Sequence, residues 1–380
     1  MFDFSRENKS LLASWWRNID KTILLLVLFF FFLGLFFSFS STSSIIGEKL
    51  NKESYFFFLK HSAFVGIAIV IAFFVSLQKR ETVKLYMPYF FLLSFFLLFL
   101  VPFIGSEIKG AKRWIDLPFL PGFQPVEILK PFFILMLAQI ISSNAIQNLY
   151  KKYLYTLILL SIVIFFLIIQ PDLGQTFLLF SSWLIMVFTS GINFIILGIS
   201  FIFCIFVLFL IVIIFPGKFG YILFRLKSFI DPSKGDSYQS ERALEAIMSG
   251  GFTGRGIGEG VLKDKVPEAH TDYIFAIIAE EFGVILTFLI IIIFLFFAYK
   301  VLSKLLDEKD EYIKLALVGL VSLLLTQTFI HIGVNIRFLP TTGMTLPFLS
   351  YGGSSIVSSA IIAGLVLNLT KKNSLTKRHL

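Results

Sequence analysis

Charge is scarce in this sequence. Only 15% of its 380 residues are Asp, Glu, Lys or Arg, against 57% hydrophobic residues, whereas a soluble domain carries about a quarter charged residues. With a mean hydropathy of +0.87, an ordinary water-soluble fold is excluded. Cysteine is nearly missing. The single Cys204 lies inside an apolar run, so no intrachain disulfide is available and the chain carries no redox-compartment signal. No Walker A loop, HExxH or CxxC pattern occurs, which removes the usual nucleotide, zinc-peptidase and thiol-redox signatures. No short-period repeat is present, so solenoids and propellers are out. No A-x-A cleavage site follows the first apolar run, Thr22 to Ser40, so it is expected to be a retained span and not a secretory signal.

What the chain has in abundance is apolar runs of 18 or more residues, each long enough to cross ~30 Å of hydrocarbon. Ten spans are expected, at about 22–41, 56–77, 85–105, 128–143, 153–170, 173–191, 193–216, 273–299, 313–336 and 347–369. The fold class expected is an all-α polytopic membrane protein with one long extracytoplasmic loop, about 217–271. Residues 1–21 form a cytoplasmic N-terminal segment, 22–369 a single membrane domain and 370–380 a basic tail. The net charge of +9 fits cytoplasmic loops facing anionic lipid and does not call for nucleic acid.

Lys and Arg set the orientation. The termini and the short loops on their side carry seventeen, and the opposite short loops carry six. Both termini are therefore expected in the cytoplasm, because short basic loops stay inside. The aromatic pair Trp15–Trp16 suits an interfacial anchor before the first span.

The long loop ends in "VPEAHTD", with Glu268, His270 and Asp272 at alternate positions. If a helix starts at Asp272, then Ala276, Ala279 and Gly283 lie within ~40° of it. That stripe either allows close packing or leaves room beneath the carboxylate. Asp272 is an N-cap or a chemical group. Glu280 and Glu281 lie ~12–14 Å down the axis. Acids at that depth pair, face the bundle interior or line a wet path, and His331 and Gln327 are candidate partners. Glu268, His270 and Asp272 lack a fourth ligand for a dedicated metal cage. The loop also holds "SGGFTGRGIGEG", whose glycines permit tight turns near a ligand.

Three further polar segments share the outer side. In "GAKRWIDLPFLPGFQPVEILK", Glu127 and Lys130 can pair at a helix start, and Arg113 can grip a phosphate through its planar fork. The alternative is a surface ion pair on an interfacial segment. "QPDLGQ" (170–175) reads as a tight turn. In "FLPTTGMTLPFLSYGGSS", prolines and glycines break the backbone near the outer face. After it Ser350, Ser354 and Ser358 form an i,i+4 row. No His–Asp pair accompanies these serines, so a serine nucleophile is not indicated. Polar segments gathered on the outer face fit a site at the outer leaflet better than the midplane site of a transporter.

In order, "GAKRWIDL", "QPVEILK", "QPDLGQ", "YQSERALEAI", "SGGFTGRGIGEG", "PEAHTDYIFAIIAEEFG" and "LPTTGMTLPFLSYGGSS" resemble the SEDS family, the FtsW and RodA group. The last two resemble the division branch more than the elongation branch. The resemblance implies a peptidoglycan glycosyltransferase that polymerises lipid II at the outer face of the inner membrane. It implies Asp272 as the essential acid, Glu127 and Lys130 as functional residues, and a divalent cation (Mg2+ or Mn2+). It also implies a class B penicillin-binding protein and divisome proteins as partners, at the septum. Val126 stands where Ser is usual, and Met248 where Gly is common. On this reading Arg113, Glu127, Lys130, His270 and Ser350 contact substrate, while Glu280, Glu281 and His331 support from within the membrane. A lipid II flippase and a non-catalytic scaffold for a partner synthase are the competing expectations.

Overall fold

The computed structural model describes residues 10–41, 56–108, 111–116, 122–195, 238–260 and 268–372, with scattered positions between 197 and 231. A short helix α1 (Leu11–Asn18) precedes α2 (Lys21–Ser41), α3 (Phe56–Leu77) and α4 (Arg80–Ile104). An antiparallel hairpin of β1 (Ser106–Ile108) and β2 (Ala111–Trp114) leads to α5 (Pro125–Ile141), α6 (Leu149–Ile169) and α7 (Leu173–Thr189). Then come α8 (Tyr238–Gly250), α9 (Ile274–Leu302), α10 (Glu311–Asn335) and α11 (Gly353–Leu369).

Six of these helices are long and apolar enough to cross a membrane, and α7 and α11 are shorter apolar helices. Nine of the ten expected spans have a helix at their positions. The seventh, 193–216, lies largely outside the described residues, as does much of the expected loop 217–271. The described part of that loop is not all irregular, since "YQSERALEAI" forms α8, which packs along α9.

Local chemistry sets the helix ends. Pro125 opens α5, where its fixed φ suits a first turn. Asn148, Asp172 and Asp310 cap α6, α7 and α10 through their side-chain oxygens. The expected tenth span is shorter than its apolar run. Residues 346–350 fold into a turn, with Ser350 N donating to Leu346 O at 3.0 Å and Phe348 at φ 65°, so the helix starts only at Gly353. Ser350 therefore lies outside the helix, and the expected serine row is broken there.

Helices α5, α10 and α11 form the centre and are buried on most sides. Helix α11 packs along α3 and α5, and α10 against α5, α7 and α9. The outer helices expose Leu25, Phe32, Phe74, Leu92 and Phe165, the side chains expected to meet lipid. Between helices in lipid, packing and hydrogen bonds drive association in place of the hydrophobic effect. The polar contacts near the ends of the bundle therefore carry much of its specificity.

Candidate active site

Helices α4, α6 and α10 end, and α5, α7, α9 and α11 begin, at one end of the bundle. There the chain before α9 folds into a turn. The carbonyl of Glu268 accepts from the N–H groups of Thr271, Asp272 and Tyr273 at 3.1, 3.1 and 3.3 Å. Glu268, His270 and Asp272 thus lie on a tight turn and not in the extended chain that a chelating trio would need. Tyr273, not Asp272, occupies the cap position of α9 and gives no side-chain cap bond. The helix start is held from another helix. Asn335 Oδ1 accepts from Ala276 N at 3.1 Å, and Asn335 Nδ2 donates to the carbonyls of Asp272 (3.1 Å) and His331 (2.8 Å). Ser350 Oγ donates to Thr271 O at 2.7 Å and accepts from Leu346 N at 2.8 Å. The backbone on both sides of the Asp272 amide is anchored, while its side chain stays half-buried.

The Asp272 carboxylate faces Gly343, where a Cβ would lie 3.4 Å from Asp272 Oδ2. Gly343 belongs to an irregular segment, residues 342–345, that joins Asp272 to a second cluster. Gly174 backs onto that segment, and a Cβ there would meet Thr342 and Met344 at 3.0 Å. His331 Nδ1 bonds Met344 O at 2.7 Å, and Gln327 Nε2 donates to Thr345 O at 3.0 Å. Gln327 Oε1 in turn accepts from Lys130 Nζ at 3.0 Å.

That second cluster is a buried network. Lys130 Nζ lies 2.8 Å from Glu127 Oε2, with side-chain exposures of 1% and 5%. The expected pairing forms, but it is a core ion pair and not a surface one. Gln175 Nε2 donates to Glu127 Oε1 at 2.6 Å. Asp172 caps α7 through Gln175 N at 3.2 Å and accepts from Gln124 Nε2 at 2.9 Å. Arg113 donates to the carbonyls of Gln170 (3.0 Å) and Pro171, and its Nε lies 3.9 Å from Asp172 Oδ2. The "QPDLGQ" segment is therefore more than a turn, since its acid and its glutamine belong to the network. Burial pushes the Asp172 carboxyl above its ordinary value, and the Arg113 guanidinium pulls it partly back.

The structure sorts the other candidates. Lys130 and Ser350 are 1% exposed, and both bond to groups of the chain itself, Glu127 and Gln327 for Lys130 and Thr271 O for Ser350. Arg113 keeps 16% side-chain exposure, and Arg225, half-buried and donating to Thr341 O at 3.3 Å, is a second cation at this cluster; both can still face a ligand. His270 packs its ring edge-on against Tyr351, 5.6 Å between centroids, and its carbonyl accepts from Tyr351 N at 2.9 Å. Burial lowers the His270 pKa, and Glu268 partly offsets this.

Glu280 and Glu281 do not pair with His331 or Gln327, which are turned toward residues 344–345 and Lys130. Ser40 Oγ donates to Glu281 Oε2, and Gly260 packs so closely that a Cβ would meet Glu280 Oε2 at 3.0 Å. The reason lies two residues on. Helix α9 is interrupted at Gly283, with φ 79° and ψ 175°, which strands backbone groups that a membrane interior would penalise. The glycine segment supplies their partners. Arg255 N and Gly256 N donate to Glu280 O and Glu281 O at 3.0 Å each, and Val284 N and Ile285 N donate to Gly251 O and Phe252 O at 3.0 and 3.3 Å. A Cβ at Gly254 would lie 2.2 Å from Glu281 O, and one at Gly283 2.3 Å from Phe252 O. The glycines thus serve close backbone approach to α9 and not a ligand turn. The small stripe at Ala279 is likewise filled, because a Cβ at Gly250 of α8 would lie 2.0 Å from Ala279 O.

Sequence reasoning missed Asn335, Gln124 and Gln175. Asn335 was findable, as a carboxamide at the end of an apolar span is costly unless bonded. Among the described residues no three His, Cys, Asp or Glu side chains gather to hold a metal. The described residues therefore form no protein cage for a divalent cation.

A family model described as "Cell cycle protein", that of FtsW, RodA and SpoVE, matches residues 20–375. The chain is 31% identical over 376 residues to "Probable peptidoglycan glycosyltransferase FtsW" of Caulobacter vibrioides (strain NA1000 / CB15N), covering 97% of this chain and 93% of that one. It is 34% identical over 367 residues to the protein of the same name from Nitrosomonas europaea, covering 91% of each. A structure described as "Structural coordination of polymerization and crosslinking by a peptidoglycan synthase complex" superposes with a TM-score of 0.75 at 24% identity, over 93% of this chain and 97% of that one. The crystal structure of Thermus thermophilus rod shape determining protein RodA superposes with a TM-score of 0.68 at 24% identity, over 96% and 99%. Both structures share the fold.

Proposed function

The chain belongs to the FtsW, RodA and SpoVE family of cell cycle proteins, and from that premise we propose that it is a peptidoglycan glycosyltransferase of the division branch. Its substrate is lipid II, taken at the outer face of the inner membrane. The observation that carries the reading is the Asp272 carboxylate, half-buried on a backbone pinned by Asn335 and Ser350 and facing a position that has no side chain, Gly343.

A sugar hydroxyl is a weak nucleophile. As its oxygen attacks the anomeric carbon of the donor sugar, Asp272 takes the hydroxyl proton, and the bond to the prenyl diphosphate breaks with its electrons leaving on the diphosphate. General-base help of this kind is worth ~10²–10⁴-fold. A rigid backbone on either side of the base keeps it within reach of that proton. The departing diphosphate needs positive charge, and Arg113 and Arg225 are part-exposed cations of the neighbouring cluster. Lys130 acts indirectly, through Gln327 and the carbonyl of Thr345. The described residues offer no cage for the divalent cation that the family resemblance implies, so one would have to arrive with the substrate phosphates, whose charge it would neutralise.

The partners proposed are a class B penicillin-binding protein and other divisome proteins, with both termini cytoplasmic and the protein at the septum. The flippase alternative draws on Glu280, Glu281 and His331 as a translocation path. Their exposures are 0%, 1% and 1%: Glu280 and Glu281 pack around the α9 break, while His331 bonds Met344 O beside the Asp272 segment. Purified protein given lipid II, with and without the transpeptidase, separates the readings. Glycan strands support the enzyme. Headgroup crossing in sealed vesicles without strands supports the flippase, and neither product supports the scaffold. Asp272→Asn is expected to lose strand synthesis by ~10²–10⁴-fold with normal expression, and full activity in that variant rejects Asp272 as the base.

A further inference from the structure

Tyr312 and Asn335 lie at opposite ends of α10, about 35 Å apart at 1.5 Å per residue. Around Tyr312, α4, α5, α10 and the turn before α10 line a half-open cleft of about 460 Å³, the size of a small-ligand site. Nothing in the reaction at Asp272 uses it.

Three buried polar atoms of the lining residues have no hydrogen-bond partner among the described residues: Arg80 Nε, Gln139 Oε1 and Tyr312 Oη. Buried polar groups are almost always paired, so three in one cavity point to an occupant. Arg80 Nε–H can only donate, Gln139 Oε1 can only accept, and a tyrosine hydroxyl does either. The occupant must therefore both accept and donate.

The charges say the same. Lys84 Nζ sits 4.6 Å from the Tyr312 ring centroid; Arg80, whose Nη1 pairs with Glu308 Oε2 at 3.2 Å, and the acids Glu81, Glu308 and Asp310 line the same wall. The acids disfavour a plain anion and the two cations disfavour a plain cation. A group carrying both signs fits. The wall is also part apolar, through Leu85 and Ile313. From Leu85 the exposed side chains Tyr86, Tyr89, Leu92 and Leu93 continue along α4, a surface suited to acyl chains below an interfacial aromatic level.

We propose that this cavity binds the headgroup of an amine-bearing phospholipid. The phosphate faces Arg80, Lys84 and Tyr312, the ammonium faces Gln139, Glu81 and Asp310, and the acyl chains lie along the outer face of α4. The site is independent of the glycosyltransferase reading.

The test uses the full chain in detergent, with native mass spectrometry after adding dioleoyl phosphatidylethanolamine, phosphatidylcholine or phosphatidylglycerol at equal concentration. Phosphatidylethanolamine is expected to be retained roughly tenfold better than the other two, because it alone offers both a phosphate and N–H donors. Tyr312→Phe and Lys84→Met are each expected to bring its retention toward the phosphatidylcholine level with helical content unchanged. Should Tyr312→Phe destabilise the chain, Lys84→Met, altering a half-exposed side chain, still decides. Equal retention of the three lipids, or unchanged retention in Lys84→Met, would leave a merely hydrated cavity and overturn the proposal. Soluble phosphoethanolamine binding as tightly as the lipid would overturn the membrane source.

Discussion

Asn335, the last residue of α10, holds the backbone of Asp272 at the start of α9: its amide nitrogen donates to Asp272 O at 3.1 Å while its oxygen accepts from Ala276 N at 3.1 Å. One fully buried carboxamide thus replaces the cap that α9 lacks and fixes where the proposed base sits. Asn335→Ala removes the side-chain acceptor of Ala276 N–H, which keeps its 3.1 Å bond to Tyr273 O, and the side-chain donor to the Asp272 carbonyl. Strand synthesis is expected to fall by at least tenfold, and stability by about 1–3 kcal/mol. Asn335→Asp keeps the acceptor but not the donor and should fall between. Lipid II polymerisation measured beside thermal melting checks both, and an Asn335→Ala enzyme of normal rate would show that the position of Asp272 is set elsewhere.

The repair of the α9 break gives a stability prediction with an internal control. Gly254 has φ 81° and a Cβ there would press on the Glu281 carbonyl, whereas Gly251 has φ 56° and nothing within 4 Å. Gly254→Ala combines left-handed strain with a backbone collision and should cost about 2–4 kcal/mol. Gly251→Ala carries only the strain, about 1–2 kcal/mol. Melting in detergent is the measurement, and equal losses would mean that the close approach to α9 is not what the glycine serves.

The Lys130–Glu127 pair is buried with Gln175 and Gln327 as its further partners. Lys130→Met strands a carboxylate in the core and should cost about 3–5 kcal/mol. Lys130→Met combined with Glu127→Gln removes both charges and is expected to recover much of that loss. A double-mutant cycle by denaturant titration reads the coupling, and additive losses would contradict a coupled pair.

His270 lies outside the spans, and burial lowers its pKa from the usual 6.5. The folded chain therefore keeps this imidazole neutral while the unfolded chain takes up the proton. Protons favour the unfolded state in that interval, so stability falls as pH drops below 6.5 toward the lower folded value. Melting from about pH 7.5 to about pH 5.5 should decline, and less steeply in His270→Asn. An identical slope in the variant assigns the decline to other groups.

The apolar runs led to nine helices at their expected positions, and the polar segments between them converge at one end as their spacing suggested. Asp272 was legible as an acid at the mouth of an apolar helix. The break at Gly283 was not, because one glycine in a long apolar run looks like a packing residue until residues 251–256 arrive to bond the stranded groups. The role of Asp172 was hidden for a similar reason, since a turn signature accounts for its residues without reference to Arg113 or Gln124.

By itself the sequence determined where the chain crosses lipid and which polar residues could afford to be there, because transfer of an apolar run is a local property that sums along the chain. Only the tertiary structure decided which polar atoms meet. Lys130 finds Gln327 across 197 positions and Asn335 finds the Asp272 carbonyl across 63. A buried donor is satisfied by whatever acceptor the helix crossings bring within about 3 Å, and no spacing within one segment encodes that distance.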